Sequence, residues 1–254
     1  MQVRSHLLLL SRYQGWALAR LYDFLRDVTE ADYRRDCGLF FKSIHGTLNH
    51  LLLTDRLWYG RFAGSPVSVA GLDEELCAER AVLREEILLS ASRWPAFIDA
   101  VDAQRFDGDL QFITTEGTPR GMPFAATLAH VFNHGTHHRG QVSAALTALG
   151  YPAPEIDLYY FILAQEQAAG PLRAFLESKF AEINDEIAHY PSPIARCDVQ
   201  LTKLLESRSD VVAHLKQLAD AKAHGEAARV RAEILRSAAY DGDPAAEALM
   251  RATT

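Results

Sequence analysis

From Val3 to about Val28, apolar side chains recur every three or four positions: Leu7, Leu10, Tyr13, Trp16, Ala17, Leu21, Phe24 and Leu25. That spacing lines up one face of a 3.6-residue helix and predicts a first amphipathic helix. Thr29 followed by Asp32 is a short capping signal. A second helix is expected from about Phe40 to Phe62, with Gly64-Ser65-Pro66 as its stop. Its middle, Leu48 to Leu53, is apolar nearly all round and belongs at the centre of a core. A third helix is expected from about Asp73 to Ala103, a stretch rich in the strong helix formers Glu, Arg, Leu and Ala. The pattern breaks over Asp107 to Pro123. There Gln111-Phe112-Ile113-Thr114-Thr115 reads as a strand and Glu116-Gly117-Thr118-Pro119 as a turn, which predicts a small hairpin. Pro123 suits the start of a fourth helix, where its missing N–H is not needed, and Gly150 suits its end. Beyond Pro152-Ala153-Pro154 a shorter helix is expected from Glu155 to about Gln167.

Gly170-Pro171 is the strongest break in the pattern and divides the chain into residues 1–169 and 170–254. The second part reads as helices at about 172–188, 194–222 and 225–238, with Tyr190-Pro191-Ser192-Pro193 as a hinge. The expectation is an all-α protein: a helical bundle with a hairpin before its fourth helix and a helical C-terminal extension. The extension has few aromatics and shows no repeat. It suggests an interaction module that packs on the bundle or pairs two subunits.

Composition narrows the function classes. The 254 residues are 48% hydrophobic, enough for one substantial core and an appendage. The formal charge is −7, with acids and bases interspersed. A nucleic-acid partner or an acidic membrane surface needs clustered Lys and Arg, and no such stripe is present. Cys37, Cys77 and Cys197 are odd in number, far apart and in no CxxC pair, so they read as reduced thiols. Leu7-Leu8-Leu9-Leu10 is too short for a signal-peptide core, and no run approaches the ~18 apolar residues of a membrane span. A soluble, cytoplasmic protein is expected.

The chemistry concentrates in His130, His134, His137 and His138, four of the ten histidines within nine residues. His134 and His138 differ by ~40° around a helix and ~6 Å along it, so two imidazoles can converge on one ion. His130 lies ~12 Å along the axis from His138 and cannot easily join them; it reads as a buried histidine satisfied by a hydrogen bond. His137 is ~60° off the line of His134 and points toward the bundle flank. One helix thus supplies at most two ligands, and a third must come from elsewhere. His50 is the first candidate, because it lies mid-helix in an almost wholly apolar stretch where an unpaired imidazole is costly. His45 competes with it from ~140° away, in what reads as a less buried setting beside Ser43, Gly46 and Thr47. Geometry alone does not decide between them.

The segment Phe40-Phe41-Lys42-Ser43-Ile44-His45-Gly46-Thr47-Leu48-Asn49-His50-Leu51-Leu52-Leu53-Thr54-Asp55-Arg56-Leu57-Trp58 resembles the first signature of the DinB-like (damage-inducible) metalloproteins. His130-Val131-Phe132-Asn133-His134-Gly135-Thr136-His137-His138-Arg139-Gly140-Gln141 resembles the second, and Asp157-Leu158-Tyr159-Tyr160-Phe161 the segment after it. The resemblance covers about residues 5–167. It implies an up-down-down-up four-helix bundle, often a homodimer, with three histidines around a divalent ion: His50, rather than His45, with His134 and His138. It leaves the C-terminal extension unexplained.

Three neutral imidazoles leave coordination positions free, the layout of a catalytic rather than a structural site. Zinc, nickel and iron all suit histidine nitrogen. Gln141, three residues past His138, can orient a ligand from behind. Arg139 can meet an anionic substrate or be a solvated helix residue, and Asp55 is expected to form a helix-surface or inter-helix pair rather than act as a base. No Ser-His-Asp set, phosphate loop or HExxH motif is present. Relatives implied by the resemblance include transferases joining low-molecular-weight thiols to electrophiles. The expectation is therefore a metal-dependent thiol S-transferase acting on a small molecule, with a non-enzymatic metal-binding or stress-response protein as the alternative.

Overall fold

A computed structural model of the chain describes residues 2–191 and 199–252. The first apolar stripe forms α1 (Val3–Leu25), which buries Leu7, Leu18, Leu21 and Leu25. The short α2 (Glu30–Arg34) is capped by the Thr29 hydroxyl, which accepts from the Asp32 N–H. Helix α3 (Ile44–Phe62) starts at Ile44 rather than Phe40, because Ser43 is its cap and accepts from the Gly46 N–H. Phe40 and Phe41 belong instead to a tight turn in which Lys42 adopts a positive φ of 67°. The Cys37 N–H donates to the Lys42 carbonyl at 2.7 Å and the Lys42 N–H to the Leu39 carbonyl at 2.8 Å, so hydrogen bonds hold a backbone conformation that L-residues rarely adopt.

The long third helix expected from Asp73 is shorter and divided: α4 (Arg80–Ser92) and α5 (Trp94–Ala100). Residues 72–77 are drawn out of helical structure because α3 takes their polar groups. Asn49 donates to the Cys77 carbonyl at 3.1 Å and accepts from the Cys77 N–H at 2.9 Å. Pro95 explains the division, since it cannot donate back to the turn before it. Strands β1 (Asp109–Ile113) and β2 (Pro119–Pro123) form the antiparallel hairpin, with Gln111 opposite Gly121. Helix α6 (Phe124–Ala148) follows directly, and Gly150 leaves it at φ 82°.

Helix α1 packs on α4, α5 and α6, and α3 packs on α4 and α6, which closes a four-membered bundle. Its apolar contacts fall mainly into two clusters, beside a smaller one of Tyr13, Ala17, Ile156 and Phe161. One gathers Leu21, Leu25, Ile44, Leu48, Leu52, Val142 and Leu146. The other gathers Leu7, Phe62, Trp94, Phe124, Leu128 and Phe132. Part-way along the bundle, buried or half-buried polar side chains come from three helices: Gln14 from α1, His50, Thr54 and Asp55 from α3, and His134, His138 and Arg139 from α6. The bundle therefore carries a polar belt part-way along its core.

The chain divides into two compact units, Met1–Phe161 and Ile162–Thr254. Helix α7 (Leu158–Ala188) is continuous where two helices broken at Gly170-Pro171 are expected; Pro171 lies within it. The second unit has its own core, in which Leu172 and Leu176 of α7 meet Val211 and Leu218 of α8 (Val199–His224) and Val230 and Ile234 of α9 (Ala227–Leu235). The last helix, α10 (Pro244–Arg251), is capped by Asp243. Ser192 and Pro193 of the expected hinge, residues 194–198 of the expected helix, and Cys197 lie outside the described residues. Among the described residues no helix is long and apolar enough to cross a membrane.

Candidate metal centre

His50 reaches the polar belt from α3, and His134 and His138 reach it from successive turns of α6. Their ligand atoms all lie within 4.8 Å of one another. His134 Nε2 is 3.3 Å from His50 Nε2 and 3.1 Å from His138 Nε2. Two nitrogens ~2.0–2.1 Å from one tetrahedral ion are roughly 3.3 Å apart, so the spacing fits a shared divalent cation.

The outer nitrogens explain the protonation state. His50 Nδ1 is 2.8 Å from the Leu72 carbonyl, which only accepts, so the proton is on Nδ1 and Nε2 is bare. His138 Nδ1 meets Gln141 Oε1 at 2.7 Å with the same consequence. Bare nitrogens thus converge, an arrangement that suits a cation. Burial pushes the His50 pKa down to about 4, partly opposed by the Leu72 carbonyl, and His138 lowers it further. Burial, then the neighbouring histidines, pushes His134 down to about 3. Burial also lowers His138, against the pull of Gln141. All three are neutral near pH 7, the state a metal ligand requires.

Phe41 roofs the site: its ring stacks on His50 at a centroid separation of 3.7 Å and 18°, and lies 5.6 Å from His138. The turn before α3 is held in place by a close approach at Gly46, where a Cβ would come within 2.3 Å of the Phe41 carbonyl oxygen. The segment from Leu72 to Cys77 braces the other side through Leu72, Glu75 and Cys77.

His45 does not join the triad. Contrary to the less buried setting expected of it, it is 5% exposed, against 4% for His50. Tyr33 covers it edge-on at 5.5 Å, and its Nε2 meets Glu75 Oε1 at 2.6 Å. His130 is exposed rather than buried, and lies edge-on to Trp58 at 5.7 Å. His137, also exposed, approaches the Gln141 side-chain amide. Arg139 is 1% exposed, so it is no solvated helix residue; its guanidinium lies 5.1 Å over the Tyr13 ring and donates to the Thr136 hydroxyl. Asp55 is buried between helices and accepts from Gln14, Ser90 and the Trp94 indole. Burial raises its pKa, and these donors partly hold it down.

Sequence reasoning missed Phe41, Leu72 and Gln14. The capping residue Ser43 is the signal that places Phe41 outside the helix. Nothing local marks Leu72, whose carbonyl acts through tertiary contact alone.

The comparisons with known proteins cover the part of the chain that carries this site. The model of the DinB family matches residues 1–169. "Protein DinB" of Bacillus subtilis (strain 168) is 29% identical over 167 residues, which cover 63% of this chain and 96% of that protein. No solved structure matches the chain. With its match to the family model over residues 1–169, the chain belongs to the DinB family.

Proposed function

We propose that this protein is a divalent-metal enzyme that joins a low-molecular-weight thiol to a small electrophile. The observation that carries the reading is the convergence of three neutral histidines, with His134 Nε2 about one metal-ligand edge from the Nε2 of each of the other two. A divalent ion held by His50, His134 and His138 would supply Lewis acidity that favours the ionised form of a thiol at neutral pH. His50, His134 and His138 are all uncharged, so they leave the site's positive charge available to an anionic sulfur. Phe41 offers an apolar, aromatic wall beside His50 and His138, which suits a small apolar electrophile and keeps water from the reacting sulfur. Leu72 and Gln141 hold the rings in one tautomer. Zinc, nickel and iron fit this donor set equally.

A specific feature favours a second reading, a non-enzymatic metal-binding or stress-response protein. The cavity against His134 has a volume of only about 20 Å³, enough for a water and too small for a metabolite. The enzymatic reading requires the Phe41 turn to give way to substrate. The test is consumption of a model electrophile by the metal-loaded chain, supplied in turn with a panel of thiols. Turnover that is abolished by chelator and by His134→Ala supports the enzyme. Stoichiometric metal binding without turnover for any thiol favours the alternative.

A further inference from the structure

Two of the three histidines have a protein acceptor on their outer nitrogen: Leu72 for His50 and Gln141 for His138. His134 has none among the described residues; its Nε2 is the atom that faces the other two rings. His134 does, however, line the small cavity, together with Gln14, Thr54, Asp55 and Gly135 among others. The polar atoms around that cavity are unevenly satisfied. Asp55 Oδ1 accepts from Gln14 Nε2 at 3.0 Å and from Trp94 Nε1 at 2.8 Å. This fixes the Gln14 amide, because the opposite orientation would set its oxygen against the carboxylate. Gln14 Oε1 is then left buried with no hydrogen-bond partner among the described residues. It lies against Gly135, where a Cβ would stand 2.7 Å from it. The Thr54 hydroxyl donates to the His50 carbonyl at 2.9 Å and keeps its own oxygen free to accept.

We propose that this cavity holds one buried water, which accepts the Nδ1–H of His134 and donates to Gln14 Oε1, making Gln14 a positioning residue for the metal centre. The inference rests on the metal-centre reading and deepens it. The cavity, at about 20 Å³, exceeds the ~10–15 Å³ a water requires, and its lining supplies the two to four polar partners that a buried water takes. A buried amide oxygen without a donor is costly, and a water relieves it. The same water does for His134 what Leu72 and Gln141 do for the other rings: it keeps the proton on Nδ1 and the Nε2 lone pair toward the ion. Asp55 acts one step further out, by holding Gln14 the right way round. Gly135 leaves the room that Gln14 Oε1 occupies, with Arg139 Nη1 beside it: a Cβ there would stand 2.7 and 2.9 Å from them.

Cobalt(II) titration of the full chain against a competing chelator, for wild type and Gln14→Leu, tests this. Losing such an outer partner lowers metal affinity by about 10–100-fold, and that loss is expected with the helical circular dichroism unchanged. In zinc-loaded protein labelled with 15N-histidine, wild type should show a His134 Nδ1 proton that exchanges slowly with solvent, and Gln14→Leu should lose that protection. A packing role alone would not move this signal. Equal cobalt affinity in wild type and Gln14→Leu, with the His134 signal unchanged, overturns the water relay and leaves the metal centre standing. A wild type that takes up no cobalt removes the metal centre as well. If Gln14→Leu does not fold, a crystal structure of the zinc-loaded wild type decides: an ordered water between His134 Nδ1 and Gln14 Oε1 supports the relay, and a dry gap overturns it.

Discussion

Asp55 is a buried carboxylate whose hydrogen-bond donors, an amide, a hydroxyl and an indole, are all neutral. Truncation to alanine would leave those groups buried without a partner, at about 1–3 kcal/mol for each group left unsatisfied. Asp55→Asn should be far milder, because its oxygen still accepts from Gln14 and Trp94 while the Ser90 hydroxyl can turn to accept. Chemical denaturation of the two variants should therefore rank Ala well below Asn; equal losses would contradict this account of the residue. The pH dependence has a definite sign. Burial raises the folded-state pKa above the ordinary carboxylate value, so the folded chain keeps this proton longer than the unfolded chain. The cost is absent below the unfolded value, grows as pH rises through the window up to the folded value, and is then constant. Asp55→Asn should lose that part of the slope. The sequence left Asp55 as either a helix-surface or an inter-helix partner; Ser90 and Trp94 lie 35 and 39 positions away, and only the fold brings them to it.

Among the elements, α3 does most to shape the site, because its two ends and its middle have different tasks. Its N-terminus must admit the Phe41 carbonyl at Gly46, its first turns bind the Leu72–Cys77 segment through His45, Asn49 and His50, and its centre fills the core. Gly46→Ala sets a Cβ against backbone at 2.3 Å, a contact that cannot be relieved by a side-chain rotation. We expect about 1–3 kcal/mol of destabilisation, of the size seen for overpacking. A thermal melt should fall by roughly 2–4 °C for each of those kcal/mol; a variant as stable as wild type would show that the turn is not held in this way. Periodicity made α1, α6 and the hairpin legible, since each is an uninterrupted pattern, and Pro or Gly bounds α6 and the hairpin. It failed at residues 73–79, where good helix formers are overruled by the hydrogen bonds that α3 makes to their backbone. It also failed at Gly170-Pro171, where α7 continues through a proline that the sequence marks as a stop. At that point the buried Ala169, Leu172 and Leu176 keep the helix face packed.

At the scale of the whole molecule, each unit encloses its own apolar core, and every residue of the candidate metal centre belongs to Met1–Phe161. The family match stops at residue 169, so family membership covers the metal-bearing unit and only the first eight residues of the other, 162–169. Spacing alone made the triad half legible. It shows that His134 and His138 share a helix face; the resemblance to the DinB-like signatures named His50 over His45, and the fold adds the reason, with Tyr33 and Glu75 occupying His45. Ligand binding to the folded state alone raises stability, so a filled centre should also raise the melting temperature. The most direct measurement is the metal content of the full chain after incubation with a divalent cation and desalting. It should be compared with a chain in which His50, His134 and His138 are all alanine. One ion per wild-type chain and none in the triple variant is the predicted result; equal metal content in both, or none in the wild type, would contradict it.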